Sequence, residues 1–297
     1  MKSLYIIGIL LTIIIGSFFN WVLCCDIVTE EVEIDEVVVV EEKAPVVNPL
    51  IIIDSTGSFN YEANDNFNFN ASDFIILRPL EQGVEDGVMQ LKEYVGNDAS
   101  KFVNVTGYYE NSETNNSAFP NLGLARANAV KNHLIAQGIS SKKINTFGEL
   151  QDGLPKQDSI YVGPVSFLIT NDANVKDAEL IVKNIKENPI VLYFDTGKST
   201  ISLSEEQRLK YQDIVRAMDK VDDVSVLIVG HTDNTGNAEQ NMVLGKNRAE
   251  FIKAYLVKNG IPSEEIVTVS KGQEQPIATN DTEEGRAENR RTVITIK

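Results

Sequence analysis

Along this chain, short apolar runs alternate with stretches whose apolar residues recur every three or four positions, the pattern of strands alternating with helices. In the last third, VLYFDTG (residues 191–197) predicts a strand and a turn. SEEQRLKYQDIVRAM (204–218) predicts a helix, because Ser204 stands at the N-cap position and glutamates follow in the first turn, where the helix dipole favours them. VSVLIVG (224–230) is almost wholly apolar and short, as a buried strand should be. Residues 241–261 carry Leu244, Phe251, Ile252, Tyr255 and Leu256 at helical spacing, with Gly260 as the stop, so an amphipathic helix is expected there. IVTVSKG (266–272) and RTVITIK (291–297) supply two further strands.

The same order of features occurs upstream. ARANAVKNHLIAQGISSKKI (125–144) lies without a gap on NRAEFIKAYLVKNGIPSEEI (247–266), which puts Arg126 on Arg248, Gly138 on Gly260, Ile139 on Ile261 and Ile144 on Ile266. VNVTGYYE (103–110) lies on VLIVGHTD (226–233), and NFNFNAS (66–72) on LYFDTG. A shared fold alone does not fix an arginine, a glycine and two isoleucines at identical offsets, so the chain reads as an internal duplication. The expected fold class is α/β: two tandem sandwiches, 50–172 and 180–297, each of order β-α-β-α-β-β with two helices on one face of a mixed sheet.

Residues 4–23 (LYIIGILLTIIIGSFFNWVL) carry no charge, and about 20 such residues suffice for a helix to cross the hydrocarbon core. Lys2 precedes this run while Asp26, Glu30 and Glu31 follow it, so the positive-inside bias leaves the N-terminus cytoplasmic and exports the rest. Residues 1–25 are therefore a membrane anchor or signal. No small-x-small cleavage site closes the run, which favours an uncleaved transmembrane anchor. Cys24 and Cys25 leave lipidation open, although Val22 and Leu23 are a poor match to a lipoprotein signal. Residues 26–49 are acidic with interspersed valines and too little apolar mass for a core, which makes them an extended linker.

Composition narrows the function. The 297 residues carry 43 acidic against 27 basic side chains, a formal charge of −16, which argues against nucleic acid as a partner. Length suits two domains, and with Cys24 and Cys25 as the sole cysteines neither can contain a disulfide. The two histidines, His133 and His231, have no suitably spaced nucleophile, and no GxSxG, HExxH or phosphate-cradling glycine loop occurs. No catalytic residue, metal ligand or cofactor is assigned.

The chemistry concentrates at GHTDNTGNAEQN (230–241). Asp233 falls just past a buried strand, and Arg248 falls on a helix that must fold back against that strand. A carboxylate and a guanidinium facing one cleft can hold a zwitterion, the first taking an ammonium and the second gripping a carboxylate in bidentate fashion. Free amino-acid termini and diaminopimelate side chains have that shape. The blander reading makes Asp233 a turn former and Asn241 an N-cap.

At these residues the chain resembles the OmpA-like domain family, which also includes peptidoglycan-associated lipoproteins and flagellar stator proteins. The resemblance rests on LYFDTGKSTI (192–201), GHTDNTG (230–236), the spacing of Asn241, Leu244, Arg248 and Ala249, and the closing TEEGRAENRR (282–291). It implies non-catalytic binding of the diaminopimelate in peptidoglycan. Carried over, Asp233 would take the ammonium and Arg248 the carboxylate; Asn241, Thr232 and Asp195 would line the pocket, and Arg290 or Arg291 would reach it from the last strand.

The first copy departs from this pattern. Glu110 stands at the Asp233 position and Arg126 at the Arg248 position, but the following loop is one residue longer, Ala118 replaces Asn241, and Gly163-Pro164 replaces Arg290-Arg291. It is expected to be a degenerate domain kept for spacing or for envelope protein partners, with weak ligand binding as the alternative. The whole then reads as an envelope tether, anchored in a membrane, with its bulk in the periplasm of a Gram-negative-type cell and peptidoglycan as its partner. The alternative is a protein-contact or stator-like scaffold, although residues 4–23 lack the ionisable carboxylate an ion-driven stator needs.

Overall fold

The computed structural model describes residues 11–18, 48–172, 178–193 and 203–297. Residues 11–18 form an exposed helix, α1. Among the described residues no helix is long and apolar enough to cross a membrane. Most of the expected span over 4–23 lies outside the described residues, as do Cys24, Cys25 and residues 26–47 of the linker. The chain divides into two compact units, Met1–Ala44 and Pro45–Lys297. Every strand among the described residues belongs to the second.

The first part of this unit runs β1 (Leu50–Asp54), β2 (Asn60–Ala63), β3 (Phe69–Asn70), α2 (Gln82–Asn97), β4 (Phe102–Tyr109), α3 (Leu122–Ala136), β5 (Ile144–Leu150), β6 (Lys156–Gln157), β7 (Ile160–Tyr161) and β8 (Val165–Thr170). The second runs α4 (Ala178–Glu187), β9 (Ile190–Tyr193), α5 (Glu205–Lys220), β10 (Val226–His231), α6 (Ala238–Lys258), β11 (Ile266–Gly272), α7 (Glu283–Asn289) and β12 (Arg291–Ile296). Two mixed sheets result, ordered β2-β1-β8-β4-β5 and β11-β10-β12-β9, with a small sheet β3-β7-β6 beside the first. Three strands keep the same register in both large sheets. Val103 of β4 lies opposite Ile144 of the parallel β5, as Val226 of β10 lies opposite Ile266 of β11. Gly107 pairs with Val165 of the antiparallel β8, as Gly230 pairs with Thr292 of β12.

The fourth strand breaks the likeness. Residues 66–72, expected to match the strand before α5, yield only β3, outside the large sheet. Their asparagines explain why: Asn66 Oδ1 accepts from the Phe67 amide, and Asp65 Oδ1 accepts from the Asn66 amide and from Asn68 Nδ2, local bonds that compete with a strand ladder. β1 takes the slot instead and runs parallel to β8, whereas β9 is antiparallel to β12.

Helix ends follow local chemistry. Ser204 caps α5 in a capping box with Gln207. The cap of α6 is Asn237, whose side chain accepts from the Glu239 and Gln240 amides, so Asn241 stands inside the helix rather than at its cap. Chains leave α3 and α6 through Gly138 and Gly260, at φ +97° and +98°, values that favour glycine. Of the apolar residues expected to form the buried face of α6, Ile252 and Leu256 are buried, while Leu244 and Phe251 are exposed.

Both pairs of long helices pack on one face of their sheet, and α3 serves two cores. Ala127, Val130 and Leu134 face the first sheet, while Leu122, Leu124 and Ala125 join Tyr211, Ile214, Ile252 and Leu256 of the second part. A helix buried around most of its circumference has no clear polar face. Polar bonds seal the same seam: Lys131 Nζ meets Asp219 Oδ2 at 2.6 Å, the Ala118 amide donates to Asn259 Oδ1 at 2.7 Å, and Asn132 Nδ2 donates to the Gly260 carbonyl at 3.0 Å.

The closest packing lies between strand and helix backbones. A Cβ on Gly230 would stand 1.9 Å from the Gly245 carbonyl oxygen of α6, and one on Gly107 would stand 2.0 Å from the Gly123 carbonyl oxygen of α3. Gly230→Ala and Gly107→Ala are each expected to cost about 3 kcal/mol or more, the upper range of overpacking. Gly96→Ala, in an open helical position, should be neutral or stabilising by about 0.5–1 kcal/mol. Urea unfolding of the three variants measures this, and equal stabilities would refute the packing argument.

Candidate ligand-binding site

The site forms where β10 ends and the chain turns into α6. The Thr232 amide donates to the Gly272 carbonyl at 2.9 Å, tying the loop to the end of β11, and Thr232 Oγ1 donates to the Asp233 carbonyl at 2.8 Å. Asp233 Oδ1 accepts from the Thr235 amide at 3.0 Å, the bond of an Asx-turn. Asn241, buried in the first turns of α6, donates through Nδ2 to Gln273 Oε1 at 2.7 Å and to the carbonyls of Asp233 and Thr235 at 3.3 and 3.2 Å. It fixes the loop from beneath.

Arg248 lies three residues past Gly245, where α6 crosses β10 most closely, and its Nη1 donates to the His231 carbonyl at 3.0 Å. Asp233 Oδ2 accepts from Arg290 Nη1 at 2.9 Å, with side chains 13% and 15% exposed. Arg290 Nη2 donates to Glu283 Oε1 at 2.8 Å. Burial alone would raise the Asp233 pKa, but the bond from Arg290 and those from Thr235 outweigh it and hold the carboxyl below its ordinary range. Burial lowers the Arg248 pKa, Asp233 raises it and Arg290 lowers it. The loop thus brings one carboxylate into a bond with Arg290 and into the field of Arg248, opposite charges of the kind that can bind a zwitterion.

The residues expected from the sequence separate into those the fold gathers and those it does not. Asp233, Arg248, Arg290, Thr232 and Asn241 meet at this loop. Asp195 lies outside the described residues. Arg291 begins β12 opposite Tyr193, is nearly buried, and donates through Nη2 to the Gln275 carbonyl at 3.1 Å, while its Nη1 is buried with no partner. Arg290 is the C-cap of α7 and Arg291 the first residue of β12, and of the two only Arg290 bonds Asp233. His231 closes β10 in a buried position, and burial, Arg291 and Lys271 push its pKa down to about 4, leaving it neutral at physiological pH. No metal-holding group of His, Cys, Asp and Glu occurs among the described residues.

Sequence reasoning missed Gln273, Glu283 and Asn289. Asn289, wholly buried, accepts from the Ile277 and Ala278 amides through Oδ1 and shapes the loop before α7. Only for Glu283 was there a signal, since positions 283 and 290 stand two helical turns apart in the closing motif.

The second part is a mixed α/β fold that gathers opposite charges at a strand-to-helix loop. Residues 193–290 match the model of the OmpA family. The chain is 42% identical over 104 residues to outer membrane protein A of Bordetella avium, covering 35% of this chain and 53% of that protein. It is 30% identical over 156 residues to the peptidoglycan-associated lipoprotein of Buchnera aphidicola, covering 52% of this chain and 82% of that protein. To the peptidoglycan-binding protein ArfA of Mycobacterium bovis it is 43% identical over 89 residues, covering 29% of this chain and 27% of that protein. The chain belongs to the OmpA family.

Because the folded Asp233 pKa lies below its unfolded value, the carboxylate stabilises the fold at neutral pH, and that contribution fades as pH falls through the folded pKa. Arg290→Gln removes the strongest lowering influence and leaves burial opposed by the Thr235 bonds alone. The Asp233 carboxyl should then titrate at higher pH by carbon-13 NMR, and acid unfolding should begin at higher pH than in the wild type. An unmoved titration would show that Arg290 is not its counter-ion.

Proposed function

We propose that the C-terminal half binds bacterial peptidoglycan without catalysis, through the diaminopimelate of its peptide stem, and that the chain tethers the wall to a membrane. The observation that carries this reading is the gathering of charge at the end of β10, where Arg248 bonds the His231 carbonyl and Asp233 pairs with Arg290 on a loop braced by Asn241 and Thr232. Asp233 receives the ammonium and Arg248 the carboxylate, with Arg290 adjusting between them and Asp195 completing the lining. Relatives named for peptidoglycan association or binding support the ligand class. The uncharged run at 4–23 supports a membrane anchor, with Cys24 or Cys25 open to lipidation and the bulk of the chain in the periplasm.

The two parts of the folded unit descend from one duplicated domain in this reading, the first a degenerate copy serving as spacer or protein contact. The shared registers of β4, β5 and β8 with β10, β11 and β12 support it, as do the glycine pairs 107/123 and 230/245.

Co-sedimentation of the whole chain, in detergent, with diaminopimelate-type sacculi tests the wall-binding reading. Wild type should pellet, while Asp233→Ala and Arg248→Ala should each lose roughly thirtyfold or more in affinity, from about 2–5 kcal/mol per broken charge contact. A folded wild type that stays in the supernatant would leave the family fold without this function.

A further inference from the structure

Arg126, aligned with Arg248, keeps that residue's backbone contact: its Nη1 donates to the Tyr108 carbonyl at 2.9 Å, as Arg248 Nη1 donates to the His231 carbonyl at 3.0 Å. Around Arg126 the fold has built a complete cage for a carboxylate, and that of Glu113 occupies it. Glu113 Oε1 accepts from Arg126 Nη2 at 2.5 Å and from the Ser72 amide at 2.9 Å. Glu113 Oε2 accepts from Arg126 Nη1 at 3.0 Å and from the Glu110 amide at 3.0 Å. The side chains are 0% and 2% exposed, and the guanidinium lies 5.5 Å from the Phe69 ring and 4.9 Å from that of Tyr161.

Such closure is more than an ordinary ion pair needs. A bidentate guanidinium and two convergent backbone amides satisfy both oxygens of one carboxylate and shut it from water, the arrangement expected around a bound carboxylate ligand. Glu113 arrives from the loop between β4 and α3, the loop that is one residue longer than its counterpart before α6. The neighbouring carboxylate is also taken: Glu110, aligned with Asp233, accepts from Lys156 Nζ at 2.5 Å, from the Tyr161 hydroxyl at 2.9 Å and from the Gly153 and Leu154 amides.

We propose that the first half retains a carboxylate-binding site centred on Arg126, held closed by Glu113 acting as an internal pseudo-ligand, so that it takes no carboxylate from solution. Combined with the wall-binding reading, on which this one consequence rests, it leaves each chain a single point of contact with the stem peptide. Opening the cage requires removing Glu113, which strands a buried guanidinium.

Thermal unfolding of the whole chain as Glu113→Ala, titrated with sodium acetate against sodium chloride at equal ionic strength, tests the proposal. The variant should melt well below wild type, and acetate should restore its midpoint saturably by about 2–4 °C relative to chloride. Wild type should respond identically to both salts. Equal responses of the variant to acetate and chloride would overturn the proposal, as would a specific acetate response in wild type. If the variant does not fold in chloride, the readout is refolding: folded protein recovered in acetate alone supports the closed site, and none in either salt refutes it. Peptidoglycan enters neither readout, so this result is independent of whether the C-terminal half binds the wall.

Discussion

Direct contact between strand and helix backbones is the constraint on which the site depends. Gly230 of β10 and Gly245 of α6 meet with no room for a side chain, so backbone packs directly on backbone where the helix crosses the strand. There Arg248 can turn back over the strand end and bond the His231 carbonyl. The first half meets the same constraint at Gly107 and Gly123, and there Arg126 bonds the Tyr108 carbonyl. The geometry is therefore set by two small residues that take no part in the chemistry.

Charge is distributed against the average of the chain. A molecule with a formal charge of −16 would repel an anionic ligand at long range. Near this loop, however, Arg248, Arg290 and Arg291 concentrate positive charge, and Asp233 and Glu283 answer only part of it. Burial lowers the pKa of Arg248 and of Arg291, since water is not there to solvate the charge, and Arg291 keeps an unpartnered buried nitrogen. Elsewhere the chain can remain acidic without losing the site.

The parts of this arrangement legible in the sequence were those set by short-range rules. Apolar runs located β10, β11 and β12, Ser204 marked the start of α5, Gly260 marked the end of α6, and the alignment of Arg126 with Arg248 predicted that both would sit alike on their helices. What failed depended on tertiary context. Asn237 and Asn241 are both good caps, and composition cannot choose between them. Leu244 and Phe251 fit the helical spacing yet face out, because the buried stripe of α6 runs through Asn241, Gly245, Ala249, Ile252 and Leu256. The junction of α7 and β12 separates Arg290, which caps the helix, from Arg291, which opens the strand, and the pair of letters conceals this. The reversal of β1 relative to β9 left no signal, since direction in a sheet is fixed by how the chain arrives.

The two halves meet over α3, whose second face is buried among side chains of the C-terminal half. Phe119 packs edge-on against Tyr211 at 5.0 Å between ring centroids, and Lys131 closes on Asp219. A chain cut between α3 and α5 would therefore bare an oily seam and orphan an ion pair. A joint placed near residue 178 would divide the core that α3 shares with α5 and α6. The duplicated look of the sequence suggests interchangeable parts; the packing has made each half the other's scaffold.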